Sequence, residues 1–247
     1  MGGIQSAYGL LEWLRGSPLH PQWIADRSHA RSRKTMLRLK NATIVDIGCG
    51  ASVHPGLASP SNQVIRLDYP STGIRYPARP DVFGNAQQLP FAERCADAAL
   101  LLEVAEHLPK PQQALVEIAR IVKPGGSLYF SAPFVYPLHD RPHDYHRFTR
   151  FGILQLLTAN GFEIQELVEH GNPLTAALQL LNLALLEAVR DMAEHSFFAS
   201  ALLALMSYPI TLLINLLAMP LSALPWQGGT CLGYFIHARR RPTAEST

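Results

Sequence analysis

The stretch from Thr43 to Gly50, TIVDIGCG, constrains the fold of this chain most strongly. Its apolar, partly β-branched run predicts a buried parallel strand. Gly48 and Gly50 follow directly, and glycine is needed where a ligand approaches the backbone closely, because a Cβ would block it. Asp68 closes a second apolar run, QVIRLD. An acid at the end of the second strand can meet the hydroxyls of a bound ribose. The pattern therefore predicts a nucleotide-binding strand–turn–strand unit.

The chain beyond Asp68 keeps alternating between strand and helix patterns. An apolar strand is predicted between Asp97 and Glu103, and residues 111–122 repeat apolar side chains at helical spacing. A Pro-Gly-Gly turn leads into a strand within 123–134. Residues 151–170 predict a helix that ends at Asn-Gly and then a strand, and residues 230–240 predict the last strand. This alternation is typical of a doubly wound, mostly parallel α/β sheet, and 247 residues suit one such domain.

Four sequence blocks carry a family resemblance, and they occur in a fixed order within residues 42–170. They are VDIGCG, IRLD, NAQQLPF and DAALLLEVAEHLPKPQQALVEIARIVKPGGSLYFSAPF. In this region the chain resembles the class I S-adenosylmethionine-dependent methyltransferases of the type 11 group. The resemblance implies a seven-stranded sheet with helices on both faces, in which strand seven runs antiparallel between strands five and six. It also implies S-adenosyl-L-methionine as the cofactor and methyl transfer as the activity.

The resemblance further implies which residues hold the cofactor. The methionine half would lie along the glycine turn, the ribose against the acid of the second strand, and the adenine beside the two residues after Gly84. The positions so assigned are Asp46, Gly48, Cys49, Gly50, Asp68, Tyr69, Asn85, Ala86, Glu103 and Val104. The family usually has Asp where Asn85 stands, but an Asn side-chain oxygen still accepts a hydrogen bond.

Residues 133–149, PFVYPLHDRPHDYHRFT, are dense in His, Asp and Arg, and they follow a predicted strand end that faces the ligand crevice. Three interpretations are open: an acceptor site, a structural turn, and a metal site built from His139, His143 and His146 with a carboxylate. Pro142 breaks the helix that would align the histidines, so no metal is expected. We favour the acceptor site, in which a His or Asp takes a proton and arginines hold an anionic or sugar group. The catalytic candidates are His143, His139, Asp144 and His107, and the substrate-binding candidates are Arg141, Tyr145, His146 and Arg147.

Charge is unevenly distributed along the chain. The formal net charge is only +2, which excludes a general polyelectrolyte role, and no nucleic acid partner is expected. Residues 27–40 nevertheless carry six Lys or Arg and no acid. Such a segment is either a solvated helix face or a basic patch that faces anionic lipid.

A second anomaly is an apolar stretch without a single Asp, Glu, Lys or Arg from His195 to Ala238. Residues 174–192 predict an amphipathic helix with Gln179 and Asn182 off its leucine-rich stripe. Residues 197–226 are apolar on all sides. Pro209 and Pro220 are expected to divide this stretch into helices too short to cross a bilayer. A single crossing is also excluded because strands six and seven belong to one sheet. We therefore expect a monotopic membrane anchor; a dimer interface or buried lid is the alternative.

These patterns predict four segments: a basic helical lead-in (1–41), the methyltransferase core (42–170 and 229–241), an apolar helical insertion (171–228) and a tail (242–247). Three scattered cysteines and an N-terminus without a signal-peptide pattern favour the cytoplasm, with peripheral or monotopic membrane association. The expected function is methyl transfer to an amphiphilic or lipid-linked acceptor at a membrane. The alternatives are a soluble, homodimeric methyltransferase for a sugar or other small polar acceptor, and a non-catalytic cofactor-binding membrane scaffold.

Overall fold

The computed structural model describes residues 14–36, 39–50, 59, 61–71, 80–226 and 228–242. The chain forms two compact units. The core unit comprises Ser32–Phe134, Leu138–Val168 and Gly233–Thr247, and the helical unit comprises Met1–Arg31, Val135–Pro137 and Glu169–Leu232. The division into lead-in, core, insertion and tail made from the sequence stays a prediction.

Seven strands and five α-helices follow one another along the described chain. The strands are β1 (Thr43–Ile47), β2 (Gln63–Asp68), β3 (Val82–Phe83), β4 (Ala96–Leu102), β5 (Val122–Pro133), β6 (Phe162–His170) and β7 (Gly233–Arg240). The helices are α1 (Trp23–Met36), α2 (Pro111–Ile121), α3 (Arg150–Ala159), α4 (Pro173–His195) and α5 (Phe197–Leu221), with a 3-10 turn at Ala105–His107.

The strand order is β3-β2-β1-β4-β5-β7-β6. Strand β1 pairs in parallel with β2 and β4, whereas β7 pairs antiparallel with β5. The predicted doubly wound sheet, with its last strand inserted between the fifth and sixth, is thereby confirmed, as is the apolar helix between β6 and β7. Because β1 and β4 are buried on both faces, they read as continuous apolar runs rather than as alternating ones.

In the helical unit, α4 and α5 pack against each other as a hairpin joined at Ser196, whose side chain caps α5 by accepting a hydrogen bond from the Ala199 amide. The prediction that Pro209 and Pro220 divide the apolar stretch was wrong, because both lie inside one continuous 25-residue helix. A proline removes one amide donor but keeps a helical φ, and packing along the rest of the helix holds the segment together. The helical hairpin exists, but its bend is at Ser196.

The distribution of buried and exposed side chains on the two hairpin helices differs from that in a water-soluble helix pair. In α5 the buried positions include Ser200, Ser207, Thr211 and Asn215. The exposed large apolar side chains of this helix are Phe197, Phe198, Leu202, Leu205, Met206, Ile210, Leu213, Leu216, Leu217 and Met219. In α4, likewise, Gln179 and Asn182 are fully buried while the leucine-rich stripe is partly exposed. In α5, therefore, uncharged polar side chains lie among the buried residues while most of the large apolar ones are exposed.

Hydrogen bonds explain how these amides are buried. The Asn215 side-chain nitrogen donates to the carbonyls of Pro18 and His20 at 2.7 and 3.0 Å, and its oxygen accepts from the Asn182 side chain at 2.9 Å. The Gln179 side chain donates to the Pro21 carbonyl and accepts from the Ala25 amide. Because a buried amide is costly unless it is paired, these bonds specify how the segment before α1 packs on the hairpin.

Replacing Asn215 with alanine is expected to lower the free energy of unfolding by about 1–3 kcal/mol, because it removes the donor to the Pro18 and His20 carbonyls and the acceptor of the buried Asn182 side chain. Denaturant unfolding monitored by circular dichroism measures the change. Ser222 is the matched control, since its hydroxyl donates only to the Met219 carbonyl one turn away at an exposed position. Equal losses for Asn215→Ala and Ser222→Ala would contradict a stabilising role for the amide network.

Helix α1 contains the start of the basic segment. Trp23 and Ile24 are buried in an apolar cluster of the helical unit with Ala176, Ile214 and Leu232. Arg27 lies over the Trp23 ring, 5.3 Å from its centroid, and is exposed. The side chains of residues 30–35 and all of residues 37 and 38 lie outside the described part of the chain. The predicted basic patch is therefore only partly described.

Candidate active site

The carboxyl ends of β1, β2 and β4 lie at one edge of the sheet, and the predicted cofactor residues occupy them. After β1 the chain turns through Gly48 and Gly50, whose φ angles are +73° and +53°. The amide of Gly48 donates to the Leu67 carbonyl of β2 at 2.8 Å. A Cβ on Gly48 would lie 2.4 Å from a methyl of Val104, so only glycine fits between the turn and the end of β4.

Two buried carboxylates flank this turn. Asp68 accepts hydrogen bonds from the amides of Gly50 and Tyr69, each at 2.7 Å. Asp46 is 4% exposed, and burial together with the nearby Asp68 charge raises its pKa to about 7. Burial and the same carboxylates raise the pKa of the Cys49 thiol to about 12, so this thiol stays protonated and is no nucleophile. The turn thus combines backbone space with acidic groups that favour a cationic ligand.

The end of β4 contributes a third carboxylate. Glu103 has a φ of +56°, and its amide donates to both the carbonyl and the hydroxyl of Ser131 on β5 at 3.1 Å. Its Oε1 is buried and accepts no hydrogen bond from the described residues. A left-handed backbone at a non-glycine residue is strained and occurs often at ligand sites. Glu103 therefore presents an unsatisfied oxygen beside the glycine turn.

The positions assigned to the adenine follow β3. The Asn85 side-chain oxygen accepts from the Gln87 amide at 2.9 Å, and Asn85 is exposed. Ala86 is buried, and Tyr69 is 55% exposed. The Gly84 amide donates to the Asp68 carbonyl, which holds this segment next to the end of β2.

Backbone hydrogen bonds fix the His-rich loop to the 3-10 turn after β4. The amides of Tyr145 and His146 donate to the Glu106 carbonyl at 2.8 and 3.2 Å. The ring Nδ1 of His107 lies 2.7 Å from the His143 carbonyl. The structure therefore brings the predicted catalytic residues of the loop next to the EVAEHL segment.

The Asp144 side chain in this loop is held by three hydrogen bonds. Arg147 donates to both of its oxygens at 2.6 and 2.7 Å, and the His139 amide donates at 2.9 Å. Burial alone would raise the pKa of Asp144, but these hydrogen bonds outweigh it and lower the pKa to about 2. The His139 Nδ1 lies 3.2 Å from the same carboxylate. Arg147 thus holds Asp144, and Asp144 orients the His139 ring.

Glu106 is a residue of this site that the sequence did not single out. It is fully buried, and neither carboxylate oxygen accepts a hydrogen bond from the described residues. Burial, then the neighbouring Glu103, raises its pKa well above the usual value. Burial lowers the pKa of His107, helped by the nearby His139. The position beside His107 was the available signal, but only the three-dimensional structure shows that Glu106 is buried.

Comparison with known proteins shows which fold and which domain this chain shares. Residues 45–130 match the family model described as "Methyltransferase domain". A solved S-adenosylmethionine-dependent methyltransferase from Mesorhizobium loti superposes with a TM-score of 0.53 at 15% identity, over 89% of this chain and 98% of that one, which shows the shared fold. Residues 45–130 thus match a methyltransferase domain, and the chain has the fold of a class I S-adenosylmethionine-dependent methyltransferase.

Two curated methyltransferases show sequence similarity to this chain. Squalene methyltransferase 2 of Botryococcus braunii is 32% identical over 138 residues, which cover 47% of this chain and 36% of the relative. A ubiquinone biosynthesis O-methyltransferase of Aromatoleum aromaticum is 28% identical over 196 residues, which cover 67% of this chain and 80% of the relative. The chain thus spans about a third of the length of the first relative and most of the second.

The cofactor of this methyltransferase family is S-adenosylmethionine, and the residues present fit it. Gly48 leaves a space that a Cβ would fill, and Asp46, Asp68 and Glu103 surround the turn with acidic oxygens, one of them unsatisfied. The individual roles assigned to the ten cofactor positions stay predictions. So do the roles of the loop residues, among which Arg141, His143 and Tyr145 are exposed and His146 is half-buried.

Proposed function

We propose that this chain transfers a methyl group from S-adenosylmethionine to an amphiphilic or lipid-linked acceptor, and that α5 holds it at a membrane surface where such an acceptor is presented. The proposal rests on α5, because this helix exposes large apolar side chains and buries polar ones. Phe198 is 84% exposed and Leu205 is 73% exposed, while Asn215 on the same helix is fully buried. Water disfavours this arrangement, whereas a lipid environment favours it.

Removing the exposed apolar side chains of α5 from water would lower the free energy, so a partner that covers them is favoured. Fully burying one large apolar side chain contributes about 1.5–3 kcal/mol. Large contiguous apolar patches on soluble proteins mark interfaces with proteins, ligands or membranes. Helix α5 has no Asp, Glu, Lys or Arg and is long and apolar enough to cross a bilayer by length and composition. A lipid surface accommodates the whole length of such a helix.

Monotopic insertion suits the hairpin better than a crossing. Helix α4 carries the charged and exposed residues Glu187, Arg190, Asp191 and Glu194 in the half next to Ser196. A charged residue at the centre of a bilayer costs at least about 2.5–3.5 kcal/mol. Both ends of the hairpin also return to neighbouring strands, since β6 and β7 are adjacent in the sheet. We therefore propose that α5 lies in the interface plane with its apolar face in the lipid.

The names of the relatives support the class of acceptor. One relative is named for squalene and the other for ubiquinone biosynthesis, and both compounds are lipids. Acceptors of this class reside in membranes, so an enzyme held at the surface meets them without extracting them into water.

The bound cofactor supplies an activated methyl group with a good leaving group, and the side chains then need mainly to position the acceptor. If the acceptor is a hydroxyl or a protonated amine, a base must also take its proton. His143 is the candidate for this step: it is exposed, and its Nδ1 lies 3.0 Å from the Tyr145 hydroxyl. Arg141 is the exposed cation of the same loop and suits an anionic group of the acceptor.

Vesicle binding of a charged α5 variant tests the proposal. Leu205→Glu combined with Leu213→Glu places two charges on exposed positions of α5. We expect at least a tenfold loss of binding to vesicles of phosphatidylglycerol and phosphatidylethanolamine, measured by co-sedimentation. Transfer of labelled methyl groups into the organic extract of vesicles made from total lipids should fall in parallel.

The matched control adds the same two charges at exposed apolar positions of the core unit, as Val116→Glu with Phe151→Glu. We expect this control to bind vesicles like the original chain. A wild-type protein that ignores vesicles and forms a homodimer in detergent-free buffer would make α5 a dimer interface and would overturn the membrane part of the proposal. Vesicle binding without binding of S-adenosylhomocysteine would leave a non-catalytic scaffold.

A further inference from the structure

We infer that Glu106, His107 and His139 form a binding site for one divalent transition-metal ion. A carboxylate oxygen of Glu106 and one ring nitrogen from each histidine lie within 4.8 Å of one another. The Nε2 atoms of His107 and His139 lie 3.7 and 3.8 Å from the same oxygen, Oε1 of Glu106. No ion was expected from the sequence, whose candidate ligands were His139, His143 and His146; the structure replaces two of these three with Glu106 and His107.

The spacing of these atoms is that of ligands sharing an ion. Separations of 3.7 and 3.8 Å are too long for hydrogen bonds between ring nitrogen and carboxylate. Two ligand atoms that each lie about 2.1 Å from one Zn²⁺ in tetrahedral geometry are about 3.4 Å apart. The two separations from the Glu106 oxygen are thus within a few tenths of an ångström of those in a shared-ion geometry, and all three ligand atoms lie within 4.8 Å of one another.

The burial of the Glu106 carboxylate is further evidence, separate from the interatomic distances, that this site binds an ion. The side chain is fully buried, yet both of its oxygens lack a hydrogen-bond partner among the described residues. A buried carboxylate without partners is strongly disfavoured, and such groups are normally paired or bound to a metal. An ion bound by Oε1 would satisfy this group.

The surroundings of the two histidines orient them as metal ligands. A carbonyl can only accept, so His107 Nδ1 donates to the His143 carbonyl at 2.7 Å and leaves its Nε2 with a lone pair in the neutral ring. His139 has the Asp144 carboxylate at 3.2 Å from its Nδ1, and an Arg147 nitrogen contacts the same atom more distantly at 3.5 Å. A hydrogen bond from Nδ1 to a carbonyl or carboxylate is the usual support of a metal-bound histidine.

The ligand atoms of the site and its exposure to solvent favour a transition-metal cation that is neither strongly hard nor strongly soft. Imidazole nitrogens with a carboxylate suit Zn²⁺, Fe²⁺, Co²⁺ or Ni²⁺ rather than Mg²⁺ or Ca²⁺. The side chains of His107 and His139 are 22% and 30% exposed, so an ion can enter from solvent. Asp140 Oδ2 lies 4.0 Å from His107 Nε2 and is the nearest candidate for a further ligand.

Zinc binding by the full-length chain tests the inference. The protein is stripped with a chelator and titrated with Zn²⁺ in competition with a chromophoric chelator. We expect one tight equivalent, and we expect Glu106→Gln and His139→Ala each to weaken binding at least tenfold. Asp144→Asn, which changes the carboxylate beside His139 Nδ1 and weakens its pairing with Arg147, should weaken it about 10–100-fold. His143→Ala is the matched control from the same loop, because His143 meets the cluster only through its backbone carbonyl, and it should bind like the original chain.

Cobalt substitution gives a second readout of the site, and circular dichroism of each variant shows that it is folded. Co²⁺ bound to two nitrogens and a carboxylate gives visible d–d absorption, which should appear with the original chain and with His143→Ala and be absent with Glu106→Gln. Failure of the original chain to bind Zn²⁺, or equal affinity in Glu106→Gln, would overturn the site. The titration uses neither cofactor nor acceptor, so its outcome is separate from that of the proposed methyl transfer.

Discussion

Replacing Gly48 with alanine is expected to abolish measurable binding of S-adenosylhomocysteine and to lower the free energy of unfolding by about 2–5 kcal/mol. The φ of +73° at Gly48 is a conformation that L-residues adopt at a cost of about 1–2 kcal/mol. The new Cβ would also lie 2.4 Å from Val104, and overpacking a close contact costs about a further 1–3 kcal/mol. Relief of this overlap must move the turn or the end of β4. Both belong to the proposed cofactor site.

A second glycine separates the two contributions. Gly125 has a φ of +77°, and a Cβ there would have no described heavy atom beyond its chain neighbours within 4 Å. Gly125→Ala should therefore lose only the part of the free energy of unfolding that comes from the backbone conformation. Its affinity for S-adenosylhomocysteine, measured by calorimetric titration, should be unchanged. Shortening Val104 to alanine within Gly48→Ala should restore part of the lost stability. Equal losses at Gly48 and Gly125 would show that contact with Val104 does not matter.

Asp46→Asn is expected to stabilise the cofactor-free protein at pH 8 by up to about 4 kcal/mol, while weakening its affinity for S-adenosylhomocysteine. Folding raises the pKa of Asp46 from 3.8 to about 7, and each pKa unit corresponds to about 1.4 kcal/mol. Because the folded-state pKa is raised, the folded protein binds more protons between these values. Its stability therefore falls as pH rises from about 4 to about 7. The full penalty is present above that range.

The pH dependence of the difference between variant and original chain identifies this cause. At about pH 3 Asp46 is protonated in both the folded and the unfolded protein and resembles Asn, so denaturant unfolding should give nearly equal stabilities. The variant should become more stable as pH rises from about 4 to about 7, and it should keep that difference at pH 8. Asp97 is the matched control, because its pKa is shifted in the opposite direction. Burial alone would raise the pKa of Asp97, but hydrogen bonds from Lys123 and the Thr43 amide outweigh burial and lower it. Asp97→Asn should lose stability at pH 8. A pH-independent difference at Asp46 would contradict a buried, ionising carboxylate.

The loss of affinity in Asp46→Asn follows from the same charge. A carboxylate that is hard to ionise in the empty site becomes favourable when a cationic ligand neutralises it. Below pH 7, binding should then release a proton, which calorimetry in two buffers of different ionisation enthalpy detects. The stability that Asp46 removes from the cofactor-free protein would be a consequence of its binding role.

Most of the sheet was predictable because its signals are local. The run QVIRLD became β2 with the predicted ends, and the pattern around Asn160 and Gly161 marked the end of α3 and the start of β6. Long apolar runs bounded by glycine, proline or an acid fix the position of a strand that is buried on both faces. The family resemblance then supplied the strand order, which local patterns alone do not determine.

The helical unit shows what local patterns could not determine. Periodicity placed Gln179 and Asn182 away from the leucine stripe of α4, but not which of the two sides is buried. Asn215 donates to the Pro18 and His20 carbonyls before α1, Gln179 donates to that of Pro21, and Asn182 donates to Asn215, all across long sequence separations. Only those distant partners make burial of the amides favourable.

Residues close in the chain and ordered motifs were enough to predict the strand pattern, the glycine turn with Asp46 and Asp68, and the resemblance to a methyltransferase core. The exposure of large apolar side chains on α5 and the burial of Glu106 beside His107 and His139 became visible in the three-dimensional structure. Burial and charge depend on which atoms surround a side chain. Those atoms come from segments far apart in the sequence.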